Sequence, residues 1–154
     1  MTLDEFDDES CLIYGIGNVG RQDDGLGWAF VDWLHAEGLC SSAEMQRGYQ
    51  LLLEDAELIS TKDRVLFIDA TKDASVTSFA LERAVPRMDF TFTSHALSVP
   101  AIMATCEQCF HRLPEVHVLM IRGFEFELEM GLTPAAQHNL DDATSQLRGG
   151  EHRW

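Results

Sequence analysis

Between Gly15 and Gly27 the chain reads GIGNVGRQDDGLG, which sets two adjacent carboxylates, Asp23 and Asp24, behind a glycine-rich turn. Another carboxylate, Asp69, closes the apolar run Val65-Leu66-Phe67-Ile68, and His95 sits in a Thr-Ser-His-Ala stretch. Carboxylates drawn together without a cation repel and raise one another's pKa, so such a pair shares a proton or holds a metal. In open α/β sheets, ligands bind outside the carboxyl ends of the strands. If the strands ahead of Gly15 and Asp69 are neighbours, Asp24 (or Asp23) and Asp69 meet at one rim, within reach of a single ion. A plainer reading has Asp23 and Asp24 favour the positive end of a following helix while Asp69 caps a loop.

The same glycines match the dinucleotide fingerprint GxGxxG after a strand. Two details weigh against a pyrophosphate there. Arg-Gln-Asp-Asp follows the glycines and puts carboxylates where the phosphates belong, and no acid closes the second strand to hold a ribose. Of the six histidines, His95 has the rim position of a ligand; His111, His117 and His138 read as helix or strand residues, and His35 and His152 as exposed. Cys106-Glu107-Gln108-Cys109 is a CxxC inside a helix with no second pair to complete a zinc site, so it reads as core packing. No cysteine has a histidine partner convincing enough for a thiol nucleophile.

These residues need a scaffold, and the apolar pattern supplies one. Cys11 to Tyr14, Val65 to Ile68 and Val116 to Ile121 are short continuous apolar runs, as expected of strands buried on both faces of a parallel sheet. A weaker strand lies around Ala43 to Arg47, and the alternating stretch Thr77 to Val85 fits a half-exposed edge strand. Helical spacing runs from Leu26 to a stop at Gly38, over about Leu51 to Ile59, and from about Ser98, with Pro100 in the first turn, to about His111. A last helix is capped by Thr133, opened by Pro134 and ended by Gly149-Gly150. The loop Phe90 to His95 precedes the third helix. Strands alternating with helices give an α/β sandwich with a mostly parallel sheet, right-handed crossovers and no internal repeat.

At 154 residues the chain is expected to form one domain over 11–150 behind an acidic tail at 1–10. Five acids and no base stand in the first nine residues, without the basic and apolar regions of a signal peptide. A net charge of −15 repels phosphate backbones and anionic membranes, which excludes nucleic acid as a natural partner. The longest apolar runs are too short to span a bilayer. Four cysteines in a domain of this size, without export signals, read as reduced thiols in the cytoplasm.

Taken together, GIGNxxxxDDGxG from Gly15 to Gly27, the strand ending in Asp69, His95 ahead of a helix, and Gly131-Leu132-Thr133-Pro134 before the last helix resemble the maturation endopeptidases of nickel-iron hydrogenases. The likeness runs from about Cys11 to Leu147. It implies a three-layer α/β sandwich whose five-stranded, mostly parallel twisted sheet has one antiparallel strand and helices on both faces. It also implies a metal site of Asp24, Asp69 and His95, the same residues carrying catalysis. Such enzymes remove a C-terminal extension from the hydrogenase large-subunit precursor after nickel insertion. The trio would then grip nickel brought by the substrate, with zinc or cadmium able to take its place in vitro and Asp69 or Asp23 as base. A monomer is expected. The chain departs from the family pattern at Gly48-Tyr49-Gln50-Leu51, where Gly-Thr is common, and at Gly123-Phe124-Glu125-Phe126-Glu127, which lacks a proline. Both departures point to a divergent choice of substrate. Two other classes stay open: a non-catalytic nickel or hydrogenase-assembly binding module, and a dinucleotide-dependent enzyme.

Overall fold

The computed structural model describes residues 2–88 and 97–148. Its strands are β1 (Cys11–Ile16), β2 (Glu44–Gly48), β3 (Arg64–Thr71), β4 (Phe79–Arg83) and β5 (Glu115–Arg122). Its helices are α1 (Leu26–Glu37), α2 (Asp55–Ser60), α3 (Val99–Phe110) and α4 (Pro134–Leu147). The strands form one sheet in the order β2-β1-β3-β5-β4. All neighbours run parallel except β4, which pairs antiparallel with β5 and closes one edge.

Each face of the sheet carries its own apolar layer, which is why the central strands read as continuous hydrophobic runs. Ile13, Leu66, Ile68, Leu119 and Ile121 meet α1 and α4 on one side. On the other, Leu12, Tyr14, Val65, Phe67 and Val116 meet α2 and α3. On α1, Leu26, Phe30 and Leu34 are fully buried, and burial of each such side chain contributes about 1.5–3 kcal/mol.

The helix ends follow local chemistry. Gly38 leaves α1 at φ +67°, a left-handed turn that glycine adopts without strain. Ser98 caps α3 by accepting from the Ala101 N–H, and Thr133 caps α4 by accepting from the Ala136 N–H. Pro100 and Pro134 stand in first turns, as their spacing predicts. Residues 149–150, read as the stop of α4, lie outside the described residues.

Three details differ from the sequence reading, the first being that α2 begins at Asp55 rather than near Leu51. β3 does not end at Asp69 but continues to Thr71, because β5 offers partners as far as Arg122. The acidic stretch before β1 is anchored rather than trailing: Leu3–Phe6 form a 3-10 turn whose Leu3 and Phe6 are buried in the core, while its acids stay exposed. The Cys40 thiol donates to the Leu3 carbonyl and the Arg64 guanidinium to the Glu5 carbonyl, which hold the turn in place. Two apolar residues three apart among charges give a weak signal, and the acids dominate the composition there.

Candidate functional site

β1 leads to α1 and then to β2 on one side, while β3 lies on the other side of β1. The chain therefore reverses direction across the sheet between β1 and β3, and such a switch point opens a crevice at the carboxyl ends. Pairing of β1 with β3 stops at Gly15 and Ile68, so Asp69 lies level with Ile16, the last residue of β1, at the carboxyl rim. The loop 17–25 fills the gap.

Close backbone approach decides that loop's sequence. Gly17 sits at φ +140°, and a Cβ there would lie 1.9 Å from the Asp24 carbonyl oxygen. A Cβ on Gly27 would lie 2.5 Å from the carbonyl oxygens of both Ile16 and Ile68, so the first turn of α1 rests directly on the ends of β1 and β3. Inside the loop, the Asn18 N–H donates to Asp24 Oδ2 at 2.8 Å and the Asn18 side chain accepts from the Gly20 N–H. The Asn18 amide thus turns to the chain's own carboxylate rather than to a phosphate. A 3-10 turn, Gln22–Gly25, further separates the glycines from α1. Both features argue against dinucleotide binding.

Asp24 and Asp69 line the same cavity, of about 510 Å³, together with Gly17, Tyr49, Ser98 and Met120. Burial pushes the Asp69 carboxyl up to about 7; a hydrogen bond from the Ala70 N–H opposes the shift, and the charge of Asp24 adds to it. The upward shift of Asp69 is mainly a cost of burial, with the neighbouring Asp24 charge the smaller contribution.

Asp23, the alternative partner for Asp69, faces the other way. It is fully buried, outside this cavity, and accepts hydrogen bonds from the N–H groups of Phe124, Glu125 and Thr133 and from the Thr133 hydroxyl. Burial alone would raise its pKa, but these donors outweigh burial and hold it below the ordinary carboxylate range. A carboxylate so occupied is unsuited to act as a base, which removes Asp23 from that role.

His95 lies outside the described residues; Leu97 and Ser98, where the description resumes, line the cavity. Among the described residues no group of three or more His, Cys, Asp or Glu is placed to hold a metal. His117 packs edge-on against Phe6 in the core, while His35 and His138 are exposed. Cys106 is buried and donates to the Arg112 carbonyl, Cys109 is exposed, and all four cysteines are free.

Sequence reasoning missed the aromatic lip of the cavity. Tyr49 stacks on Trp28 with centroids 5.3 Å apart, and the Trp28 indole donates to the Gly48 carbonyl, yet Tyr49 stays 66% exposed. An aromatic directly after an edge strand was the available signal. No helix among the described residues is long and apolar enough to cross a membrane.

No protein-family model matches the sequence, and no curated protein matches it. Solved structures do. The hydrogenase maturating endopeptidase HybD from E. coli superposes with a TM-score of 0.71 at 20% identity, over 88% of each chain. The chain has the fold of that endopeptidase. A nickel-iron hydrogenase maturation protease, HycI from Thermococcus kodakarensis, gives a TM-score of 0.70 at 15% identity over 94% of each chain. A hydrogenase 2 maturation peptidase from a Thaumarchaeota archaeon gives 0.63 at 16% identity, over 88% of this chain and 93% of its own.

Proposed function

We propose that the chain is a cytoplasmic endopeptidase that removes the C-terminal extension of a nickel-loaded hydrogenase large-subunit precursor. The observation that carries this reading is the convergence of Asp24 and Asp69 in one cavity at the β1/β3 switch point of a fold shared with hydrogenase maturation endopeptidases. Asp24 and Asp69 supply two oxygens, and His95 is the third ligand in this reading. Two oxygens and one imidazole leave coordination positions open, so the site holds a divalent ion weakly unless the substrate contributes ligands of its own. Recognition is thereby tied to nickel already seated in the precursor, and nickel enters as part of the substrate.

The protonation of Asp69 suits this role. Near neutral pH its carboxyl stands close to half-ionised, and an approaching cation favours the charged form and releases the proton. Asp69 is then the candidate base for an attacking water, with Asp24 held ready by the Asn18 N–H. The cavity's apolar wall, including Leu51, Val99 and Val118, lowers the local dielectric around the pair and excludes competing water.

The test is incubation with purified nickel-loaded precursor, read by mass spectrometry. A loss of mass at the precursor's C-terminus is expected, with none for nickel-free precursor. Asp24→Ala, Asp69→Ala and His95→Ala should each abolish it while keeping the fold. Binding of the precursor without mass loss would instead identify a non-catalytic assembly module.

A further inference from the structure

Two sequence features remain without a task in this reading: the buried Asp23 and the Gly131-Leu132-Thr133-Pro134 motif. The structure joins them. Thr133 donates to Asp23 from its N–H to Oδ1 and from its hydroxyl to Oδ2, each at 2.8 Å. The N–H groups of Phe124 and Glu125 reach Oδ2 at 2.8 and 3.1 Å, and the Asp23 N–H returns a bond to the Glu125 carbonyl at 3.0 Å. The neighbouring residues are stitched to the same segment: the Gln22 N–H donates to the Glu129 carbonyl, and the Glu127 N–H donates to the Gln22 side chain.

A carboxylate taken fully out of water is costly unless its lone pairs are met, and here the donors come from the β5–α4 connection, more than a hundred residues away along the chain. In a 3-10 turn successive side chains point about 120° apart, so fixing Asp23 inward directs Asp24 outward toward the cavity. Asp24 itself is held by a bond from the Asn18 N–H.

We propose that Asp23 is a positioning residue whose clamp on Thr133, Phe124 and Glu125 sets where Asp24 stands relative to Asp69. Thr133 has two roles, because the hydroxyl that donates to Asp23 also accepts from the Ala136 N–H and caps α4. The placement of Asp24 follows from geometry, and only its effect on turnover rests on the peptidase reading.

Asp23→Asn, Thr133→Val and Thr133→Ser test it with two readouts. Amide exchange at Asn18 reports whether Asp24 still holds its acceptor position, and Ala136 exchange reports the α4 cap separately. Steady-state cleavage of nickel-loaded precursor reports kcat and KM. In Asp23→Asn and Thr133→Val, Asn18 exchange should quicken by roughly tenfold while core amides such as Phe67 stay protected, and kcat should fall by about tenfold to a hundredfold with KM within about twofold. Thr133→Ser keeps the hydroxyl and should behave as wild type. Unchanged Asn18 exchange in Thr133→Val, or a defect confined to Ala136, would overturn the proposal, and this variant decides it alone if Asp23→Asn does not fold. If no form of the protein cleaves precursor while Asn18 exchange still responds, the peptidase reading fails and the positioning role stands.

Discussion

Asp69→Asn is expected to raise the stability of the chain at neutral and alkaline pH, because it removes a carboxylate whose ionisation the fold opposes. The unfolded chain loses this proton near 3.8, whereas the folded chain keeps it until about 7. Between those values the folded state binds the proton that the unfolded state has released, so the group's contribution falls as pH rises and levels off above the folded value. At 1.36 kcal/mol per unit, ionised Asp69 costs about 4 kcal/mol at pH 8, and its retained proton costs about 1.5 kcal/mol at pH 5. Asparagine keeps the shape and can still accept from the Ala70 N–H, but has nothing to ionise. The stability gap between variant and wild type should therefore widen by about 2–3 kcal/mol from pH 5 to pH 8. Urea unfolding of both proteins at both pH values, with a chelator present, measures it. The other acids are common to the two chains and cancel in the difference. A gap that stays constant or narrows toward pH 8 would refute the burial argument for Asp69.

Gly17→Ala should cost at least about 3 kcal/mol, since its Cβ would strike the Asp24 carbonyl and its φ of +140° disfavours any side chain; unchanged urea unfolding would mean that the loop follows another path. Phe6→Ala should destabilise by about 3 kcal/mol and open Cys40 to a thiol reagent, because burial, with help from Asp7, now pushes that thiol up to about 12; a Cys40 as inert as in wild type would show that the turn stays docked without its anchor. Tyr49→Ala should change stability by less than about 1 kcal/mol, since only its stacking on Trp28 is lost, but should raise KM for the precursor; an unaltered KM would remove Tyr49 from the substrate cleft.

The central strands were legible because burial on both faces leaves no polar alternation to blur them, and the edge strand β4 was legible because it keeps one. Caps and prolines marked α3 and α4 for local reasons that need no tertiary contact. Asp24 and Asp69 could be placed at one rim by the general geometry of open sheets. Which of the adjacent acids faces the cavity could not be read from the local pattern, since a one-residue rotation of the 3-10 turn exchanges them, and only the family resemblance singled out Asp24. The clamp on Asp23 involves residues beyond position 120, and no local pattern announces so distant a partner. β3 runs past Asp69 for a similar reason, its last pairings being set by β5. The docking of Leu3 and Phe6 depends on a hollow that exists only once the sheet has formed.

The position of β5 in the sheet bears on the order in which the molecule can be made. This strand lies between β3 and β4 but is the last of the five to emerge during synthesis. Until residue 122 is available, β4 has no partner and the growing sheet ends at an open β3 edge. The clamp that aims Asp24 needs Phe124, Glu125 and finally Thr133, so the carboxylate pair is completed after the strands that frame it. A ribosome-bound chain shorter than this holds both acids without the full set of donors to Asp23, which is complete only once Thr133, at the start of the last helix, is available.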